Sequence, residues 1–360
     1  MYKVIDLFAG CGGFSLGFSK NNFDIVAAVE FDKNIALSYS KNHKNTKLYI
    51  DDIKNIDEQE VFQLNDADLI IGGPPCQGFS MAGARIRKNF IDDPRNYLFK
   101  HYANIVKKVK PKLFIMENVK GLMSLDNGEI FKEIRNILTH LGYFVKFKIL
   151  NTYNYGIPQT RERLIIIGFT QDFDIDEICK KSSKDILDKN PYFFDRVSVK
   201  MAISNLSDVN ESGIIKNNRP ENKYQKFLAT ENENLTNHNQ TKHSNLAITR
   251  MKQVKNGDNF KTLKENIKSV HSGAYGRLES DKPSPTITTR FDTPAGGRFI
   301  HYDKNRTITP REAARIQSFN DDFIFYGTKT SICKQIGNAV PPKLAYFLSV
   351  VAKNILDERR

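Results

Sequence analysis

No stretch of this chain approaches the ~18 consecutive apolar residues that a membrane-spanning helix needs. Cysteine is scarce: Cys11, Cys76, Cys179 and Cys333 are the 4 among 360 residues. They are widely spaced with no C-x-x-C pair, which argues against a disulfide framework and a zinc site, so four free thiols are expected. His238, His243 and His271 lack tight ligand spacing. They read as polar surface or phosphate contacts, and no metal site is expected. Negative charge is also in deficit, with 54 Lys plus Arg against 41 Asp plus Glu and a formal net charge of +13. That excess points to a polyanion, nucleic acid before a membrane surface. The chain enters a strand at Tyr2-Lys3-Val4-Ile5 with no signal-peptide layout, so a cytoplasmic protein is expected.

What is present begins with apolar runs that alternate with helical patterns. Val4-Ile5-Asp6-Leu7-Phe8 reads as a strand, and Ala9-Gly10-Cys11-Gly12-Gly13 as a glycine-rich turn opening a helix. Glycines there let the main chain approach a nucleotide-like ligand, although a dinucleotide would suit G-x-G equally. A second strand ends in Glu30, about twenty residues after the glycines, where an acid can take both ribose hydroxyls. A third, Leu48-Tyr49-Ile50, leads to Asp51-Asp52. The class expected is α/β, doubly wound, with ligands at the carboxyl ends of the strands.

The stretch that organises the rest is Leu69-Ile70-Ile71-Gly72-Gly73-Pro74-Pro75-Cys76. It reads as a buried strand delivering a nucleophile through a loop stiffened by proline. A free thiol with a pKa near ~8.5 is only slightly ionised at neutral pH, so an attacking cysteine needs such a fixed setting. Leu113-Phe114-Ile115-Met116 is a further strand delivering Glu117-Asn118. Burial would lift that carboxyl toward the range of a general acid, while a helix-capping role is the alternative. Arg161 and Arg163 alternate across the start of the strand Leu164–Gly168; one is expected to face phosphate or a base and the other to pair with Glu162 or the protein.

The order of these motifs resembles the DNA (cytosine-5)-methyltransferases of the bacterial modification type. The resemblance runs from Asp6-Leu7-Phe8-Ala9-Gly10-Cys11-Gly12-Gly13 through Gly73-Pro74-Pro75-Cys76-Gln77-Gly78-Phe79-Ser80, Glu117-Asn118-Val119 and Gln159-Thr160-Arg161-Glu162-Arg163. It continues through Arg311-Glu312-Ala313-Ala314-Arg315-Ile316-Gln317 to Gln335-Ile336-Gly337-Asn338-Ala339-Val340-Pro341. It implies a Rossmann-like methyltransferase sheet with a second, smaller, loop-rich, β-containing recognition domain. It also implies S-adenosylmethionine as cofactor, S-adenosylhomocysteine as product and duplex DNA as partner. By resemblance, Asp6, Phe8, Ala9, Gly10, Gly12, Gly13, Glu30, Phe31, Asp52, Ile53, Pro74, Asn338 and Ala339 hold the cofactor. Phe8 and Phe31 would flank the adenine, Glu30 take the ribose, Asp52 the adenine amino group and Asn338 the methionine end. Cys76 is then the nucleophile, Glu117 the residue at cytosine N3 and N4, and Arg163 a contact to O2. Arg161 and Asn118 join the catalytic set; no side chain of the matched motifs is an evident base for the C5 proton, and a water near Asn118 is a candidate. Gln77 and Ser80 join the DNA contacts.

The catalytic domain is expected over residues 1–180, completed by 330–360, with target recognition over 181–329. In the latter, Arg277, Arg290 and Arg298 are candidate DNA contacts, the alternative being ordinary surface arginines. Thr309, Pro310 and Glu312 spell a capping box, and Leu344 to Leu356 an amphipathic helix returning to the first domain. An RNA-directed relative and a catalytically silent regulator are the competing readings. The long basic insert favours duplex DNA over the first, and intact Cys76, Glu117 and Arg163 speak against the second. A monomer is expected, linked to any restriction endonuclease only through neighbouring genes.

Overall fold

The structure, a computed structural model, describes residues 1–56, 67–75, 98–265, 267 and 272–358. Cys76, Gln77, Ser80 and His271 lie outside the described residues. In chain order the strands are β1 (Lys3–Leu7), β2 (Asp24–Val29), β3 (Lys47–Tyr49), β4 (Leu69–Gly72), β5 (Leu113–Val119), β6 (Phe144–Asn151), β7 (Gln159–Thr160), β8 (Glu162–Phe169), β9 (Ile215–Lys216), β10 (Asn234–Leu235) and β11 (Ser284–Pro285). The helices are α1 (Gly13–Ser19), α2 (Lys33–Asn42), α3 (Leu98–Val109), α4 (Glu129–His140), α5 (Ile175–Lys189), α6 (Val199–Ile203), α7 (Lys223–Leu228), α8 (Asn245–Gln253), α9 (Pro310–Ile316), α10 (Lys329–Asn338) and α11 (Pro342–Asp357). Among the described residues no helix is long and apolar enough to cross a membrane.

The chain forms two compact units. The first comprises Met1–Asn151, Glu162–Pro191 and Leu344–Arg360; the second comprises Thr152–Arg161 and Tyr192–Lys343. These boundaries differ from residues 180 and 330. Thr152–Arg161 falls in the second unit because β7 pairs with β11, with Ser284 opposite Gln159. The excursion is therefore held by partners over 120 residues away in sequence.

In the first unit the sheet order is β3-β2-β1-β4-β5-β8-β6. Strands β1 to β5 pair in parallel, and β8 runs antiparallel between β5 and β6. Leu69, Ile70 and Ile71 of β4 and Leu113 to Met116 of β5 are almost wholly buried, as expected for strands covered on both faces. One face packs Ile5, Leu7, Ile70, Phe114 and Met116 against Tyr102, Val106, Ile134 and Leu138 of α3 and α4. The edge strand β6 is different: Lys146 and Lys148 alternate along it and pair with Asp172 and Asp176, a charged edge that resists further strand pairing. Helix α11 joins this unit through Tyr2 Oη, which donates to Asp357 at 2.7 Å, and through Asn354, which donates to Ser182 and Asp185. Order reverses at β1, with β2 on one side and β4 on the other, so the carboxyl ends of β1, β2 and β4 open the crevice where such sheets bind ligands.

The second unit is short in regular structure. The capping box at α9 is present, with Thr309 Oγ1 accepting from Glu312 N–H and the Glu312 carboxylate accepting from Thr309 N–H. Small apolar clusters, such as Ala247, Met251, Val254, Leu263, Ala274, Tyr275 and Ile300, are joined by buried arginines.

Candidate active site

Directly after β1 the backbone reverses: Phe8 and Gly10 both take φ 59° and Gly12 takes φ 95°. A phenylalanine in the left-handed region is uncommon and costs on the order of 1 kcal/mol, which marks the turn as a constrained piece of the site. Ala9 is buried, Gly10 half-buried, Gly12 and Gly13 buried, and Gly13 starts α1. Under the turn Asp6 is 1% exposed. Its Oδ2 accepts from Ser15 Oγ at 2.6 Å, and the Ser15 hydroxyl meets Tyr39 Oη at 2.8 Å. Asp6 Oδ1 has no hydrogen-bond partner among the described residues. Burial pushes the Asp6 carboxyl up to about 7, against the opposing bond from Ser15.

Glu30 follows β2, and its carboxylate is fixed by two backbone donors, Gly10 N–H to Oε2 at 2.9 Å and Asp32 N–H to Oε1 at 2.8 Å. The acid read for the ribose thus touches the glycine turn. Phe31 is 70% exposed, an apolar ring held in the open, whereas Phe8 packs partly into the core. Asp52 accepts from Lys54 N–H at 3.1 Å. Ile53 is buried in the core cluster.

At the end of β5, Glu117 is 8% exposed and its Oε1 lies 2.8 Å from Arg163 Nε. The register explains the pair: Glu117 stands opposite Ile165 and Val119 opposite Arg163, so Glu117 and Arg163 are diagonal neighbours on one face. A partly desolvated acid next to the Cys76 strand end was the expectation; the structure places the Arg163 guanidinium beside it. Arg163 Nη1 also donates to Glu162 O at 2.7 Å, and burial lowers the guanidinium's own proton affinity. Gly73 lies close against this acid: a Cβ on it would stand 3.3 Å from Glu117 Oε2. Asn118 donates from Nδ2 to Pro74 O at 3.1 Å and accepts Val119 N–H through Oδ1 at 2.8 Å. Its amide therefore holds the buried Pro74 loop, and this loop carries the chain on toward Cys76.

In the second unit Arg161 is 2% exposed. It donates to the carbonyls of Gly337, Ala339 and Ile287 at 2.9, 3.2 and 3.4 Å, so it faces neither phosphate nor base. It ties the segment before Thr288 to the turn that carries Asn338 and buried Ala339. Asn338 itself is exposed at the end of α10. Arg277 is corrected from a DNA contact to an internal brace. It is buried, and its guanidinium donates to Val254 O, Met251 O, His301 O, Lys304 O and Asn305 Oδ1. Arg290 and Arg298 are exposed. Arg290 lies 3.4 Å from Asp292, and the Arg298 stem runs over Gly273 and Gly276, where a Cβ would come within 2.7 and 2.6 Å of its Cγ. His238 is likewise corrected from surface to core: it is fully buried between Ser207 O and Thr309 Oγ1.

The family model for C-5 cytosine-specific DNA methylase matches residues 2–355. The chain belongs to this family. Type II methyltransferase M1.HphI of Haemophilus parahaemolyticus is 36% identical over 350 residues, 96% of this chain and 85% of its own length. Type II methyltransferase M.NgoPII of Neisseria gonorrhoeae is 35% identical over 357 residues, 99% and 96%. A DNA modification methyltransferase encoded within an E. coli prophage, known as a crystal structure, superposes with TM-score 0.79 at 28% identity, covering 99% of this chain and 100% of that one. The S. pombe Dnmt2 methyltransferase, at TM-score 0.63 and 17% identity over 99% of each chain, shares the fold.

This methylase is a DNA (cytosine-5-)-methyltransferase with a Rossmann-like sheet, and S-adenosylmethionine is the donor its family uses. The residues fit such a group. Gly10 at φ +59° has open space where a Cβ would sit, the Glu30 carboxylate is anchored on its N–H, and the residue after Glu30 in sequence is the exposed Phe31. Two buried groups escaped the sequence reading. His43 sits under Gly12, and a lone histidine just after a polar helix gives no sign of that. Lys343 is 3% exposed and donates to Gly156 O at 3.0 Å beside the rings of Phe193, Tyr224 and Phe227. Burial pushes its amine down to about 7; the Pro341-Pro342 helix start was visible, but not the cage of rings.

Proposed function

We propose that this methylase transfers a methyl group to C5 of a cytosine swung out of a specific duplex DNA sequence, through a transient bond between Cys76 Sγ and C6, in a restriction-modification setting or as an orphan modification enzyme. The supporting observation is the Glu117–Arg163 pair at 2.8 Å on the end of β5, beside the Gly73-Pro74 loop from which Cys76 is two residues away in sequence. When bound, S-adenosylmethionine supplies an electrophilic sulfonium methyl.

Cytosine C5 is a weak nucleophile, and the chain's own groups must activate it. The Cys76 thiolate adds to C6, and the displaced π electrons are taken up as N3 gains a proton held by Glu117, leaving an enamine at C4–C5. Arg163 fixes Glu117 through Nε and offers the rest of its guanidinium to the base O2. Once C5 is methylated, a water near Asn118 takes the C5 proton, the electron pair returning to the ring expels the thiolate from C6, and N3 gives its proton back to the Glu117 carboxylate. Asn118 is engaged by Pro74 and Val119, so its part is to hold the loop. Glu30 takes the ribose hydroxyls with the carboxylate that Gly10 and Asp32 N–H hold in place. Phe8 and Phe31 flank the adenine, Asp52 with Ile53 borders it, and Asn338 takes the methionine end. Extruding the base costs a few kcal/mol, offset by contacts that include Gln77, Ser80, Arg290 and Arg298.

Duplex DNA with 5-fluorocytosine at the target replaces the proton that must leave. The wild type is expected to form an adduct stable in denaturing gels and Cys76→Ala none; an adduct in the variant would assign the attack to another group. Bisulfite sequencing of DNA from a host expressing the chain identifies the target.

A further inference from the structure

The glycine turn after β1 is supported from below by a residue with no part in the reaction above. His43 follows α2 and is 8% exposed. Its ring lies against Tyr39, with centroids 4.5 Å apart, and Nε2 is 3.1 Å from Gly12 O. A carbonyl only accepts, so Nε2 carries the proton. Burial pushes the imidazole down to about 4, which keeps it neutral. Gly12 O also accepts Leu16 N–H at 2.8 Å, so both its lone pairs are used. A Cβ on Gly12 would fall 2.2 Å from His43 Nε2; the ring occupies the volume that a side chain at position 12 would need.

We propose that His43 is a positioning residue for the cofactor. By donating to Gly12 O and filling the space beneath it, the imidazole holds the Gly10–Gly13 turn in its binding conformation before the ligand arrives. The proposal rests on the reading of that turn as the S-adenosylmethionine site. Its physical content is preorganisation: a turn already fixed loses less freedom on binding, so affinity for the cofactor depends on the bond while the chemical step does not.

The test uses the full chain with His43→Leu and His43→Phe, two shapes without the donor, and His43→Gln, whose amide reaches the same carbonyl. S-adenosylhomocysteine affinity by calorimetry, KM for S-adenosylmethionine, KM for DNA, kcat and melting temperature are measured for each. The expected result is a loss of about five- to tenfold in S-adenosylhomocysteine affinity and a matching rise in KM for the donor in both donor-less variants, the scale of one hydrogen bond. KM for DNA and kcat should stay within about twofold, and His43→Gln should recover most of the affinity. Unchanged affinity in a folded variant overturns the proposal. So does a parallel fall in kcat, DNA affinity and melting temperature without rescue by glutamine, or loss of cooperative unfolding in both donor-less variants, since each shows a general structural role. If the wild type bound no S-adenosylhomocysteine, the reading of the site itself would fall first.

Discussion

Arg161 and Arg163 are separated by one residue, yet they belong to different compact units and meet different partners. Arg163 stands on a sheet strand whose backbone is already satisfied by its neighbours, and its guanidinium goes to a carboxylate. Arg161 lies at the end of a loop-rich excursion and goes to three carbonyls. The contrast extends across the units. In the second, Arg277 and Arg311 are buried and donate largely to main-chain oxygens, as Arg311 does to Thr236, Asn320 and Phe323, while buried Arg315 is spent on Asp321 and Asn205. Buried backbone groups must be paired, and where ladders are few, side chains do the pairing. A sheet releases its polar side chains for chemistry; a loop-built unit consumes them as structure.

The largest effects should separate these two uses. Glu117→Gln keeps the shape and removes the acid, so kcat should fall on the order of 10²–10⁴-fold, with S-adenosylhomocysteine affinity and melting temperature close to wild type. An unchanged kcat would remove Glu117 from the chemistry. Arg315→Met should act the other way. Its buried pair with Asp321, at 2.9 Å through both nitrogens, leaves an uncompensated carboxylate when broken, a loss of about 3–5 kcal/mol visible in denaturant unfolding. Arg163→Gln is the control, expected to lower kcat with a smaller stability loss. Equal destabilisation by the two arginine substitutions would dissolve the distinction.

The same contrast explains what was legible in the sequence. Leu69–Gly72 and Leu113–Val119 declared themselves because strands covered on both faces are unbroken apolar runs, and Thr309-Pro310-Arg311-Glu312 because capping is local chemistry. Direction is not local: nothing in Leu164–Gly168 marks β8 as the antiparallel strand, since its side-chain pattern is the same either way. Exposure of a charged residue is not local either. Arg277 and Arg298 both sit in short glycine-bearing segments, and only the fold shows that one meets carbonyls and the other solvent. Glu117 was found from its position after four apolar residues, but its pairing with Arg163 depends on register across two strands.

A smaller effect should appear in the pH dependence of stability, with opposite sign in the two units. Asp6, raised to about 7 by burial, keeps a proton in the folded state that the unfolded chain releases above ~4. Its stabilisation is complete below that value and is lost as pH rises through about 7. Glu312 is held at about 2, because the Arg306 guanidinium outweighs burial; its contribution is present above ~4.5 and lost as pH falls through about 2. Urea midpoints at pH 5, 6 and 7 should show Asp6→Asn flattening a decline of about 2 kcal/mol, and midpoints extended down to about pH 2 should show Glu312→Gln flattening only the acid limb. A wild type equally stable at pH 5 and 7, with no change in Asp6→Asn, would refute the first assignment.

The finest division lies among the second unit's arginines. If Arg290 and Arg298 meet phosphates, replacing either with alanine removes about one unit from the slope of log K against log salt and weakens binding several-fold on any sequence. Their melting temperatures should scarcely move, because both residues are exposed and the Arg290–Asp292 contact is a surface ion pair. Arg277→Met should do the reverse: lower melting temperature, because five internal acceptors lose their donor, with the salt slope intact at temperatures where the variant is folded. A reduced slope in Arg277→Met would mean that its guanidinium leaves those carbonyls for DNA. That would place a buried brace and a phosphate contact in one residue, and the line drawn between architecture and recognition would then have to run through side-chain conformers and not between residues.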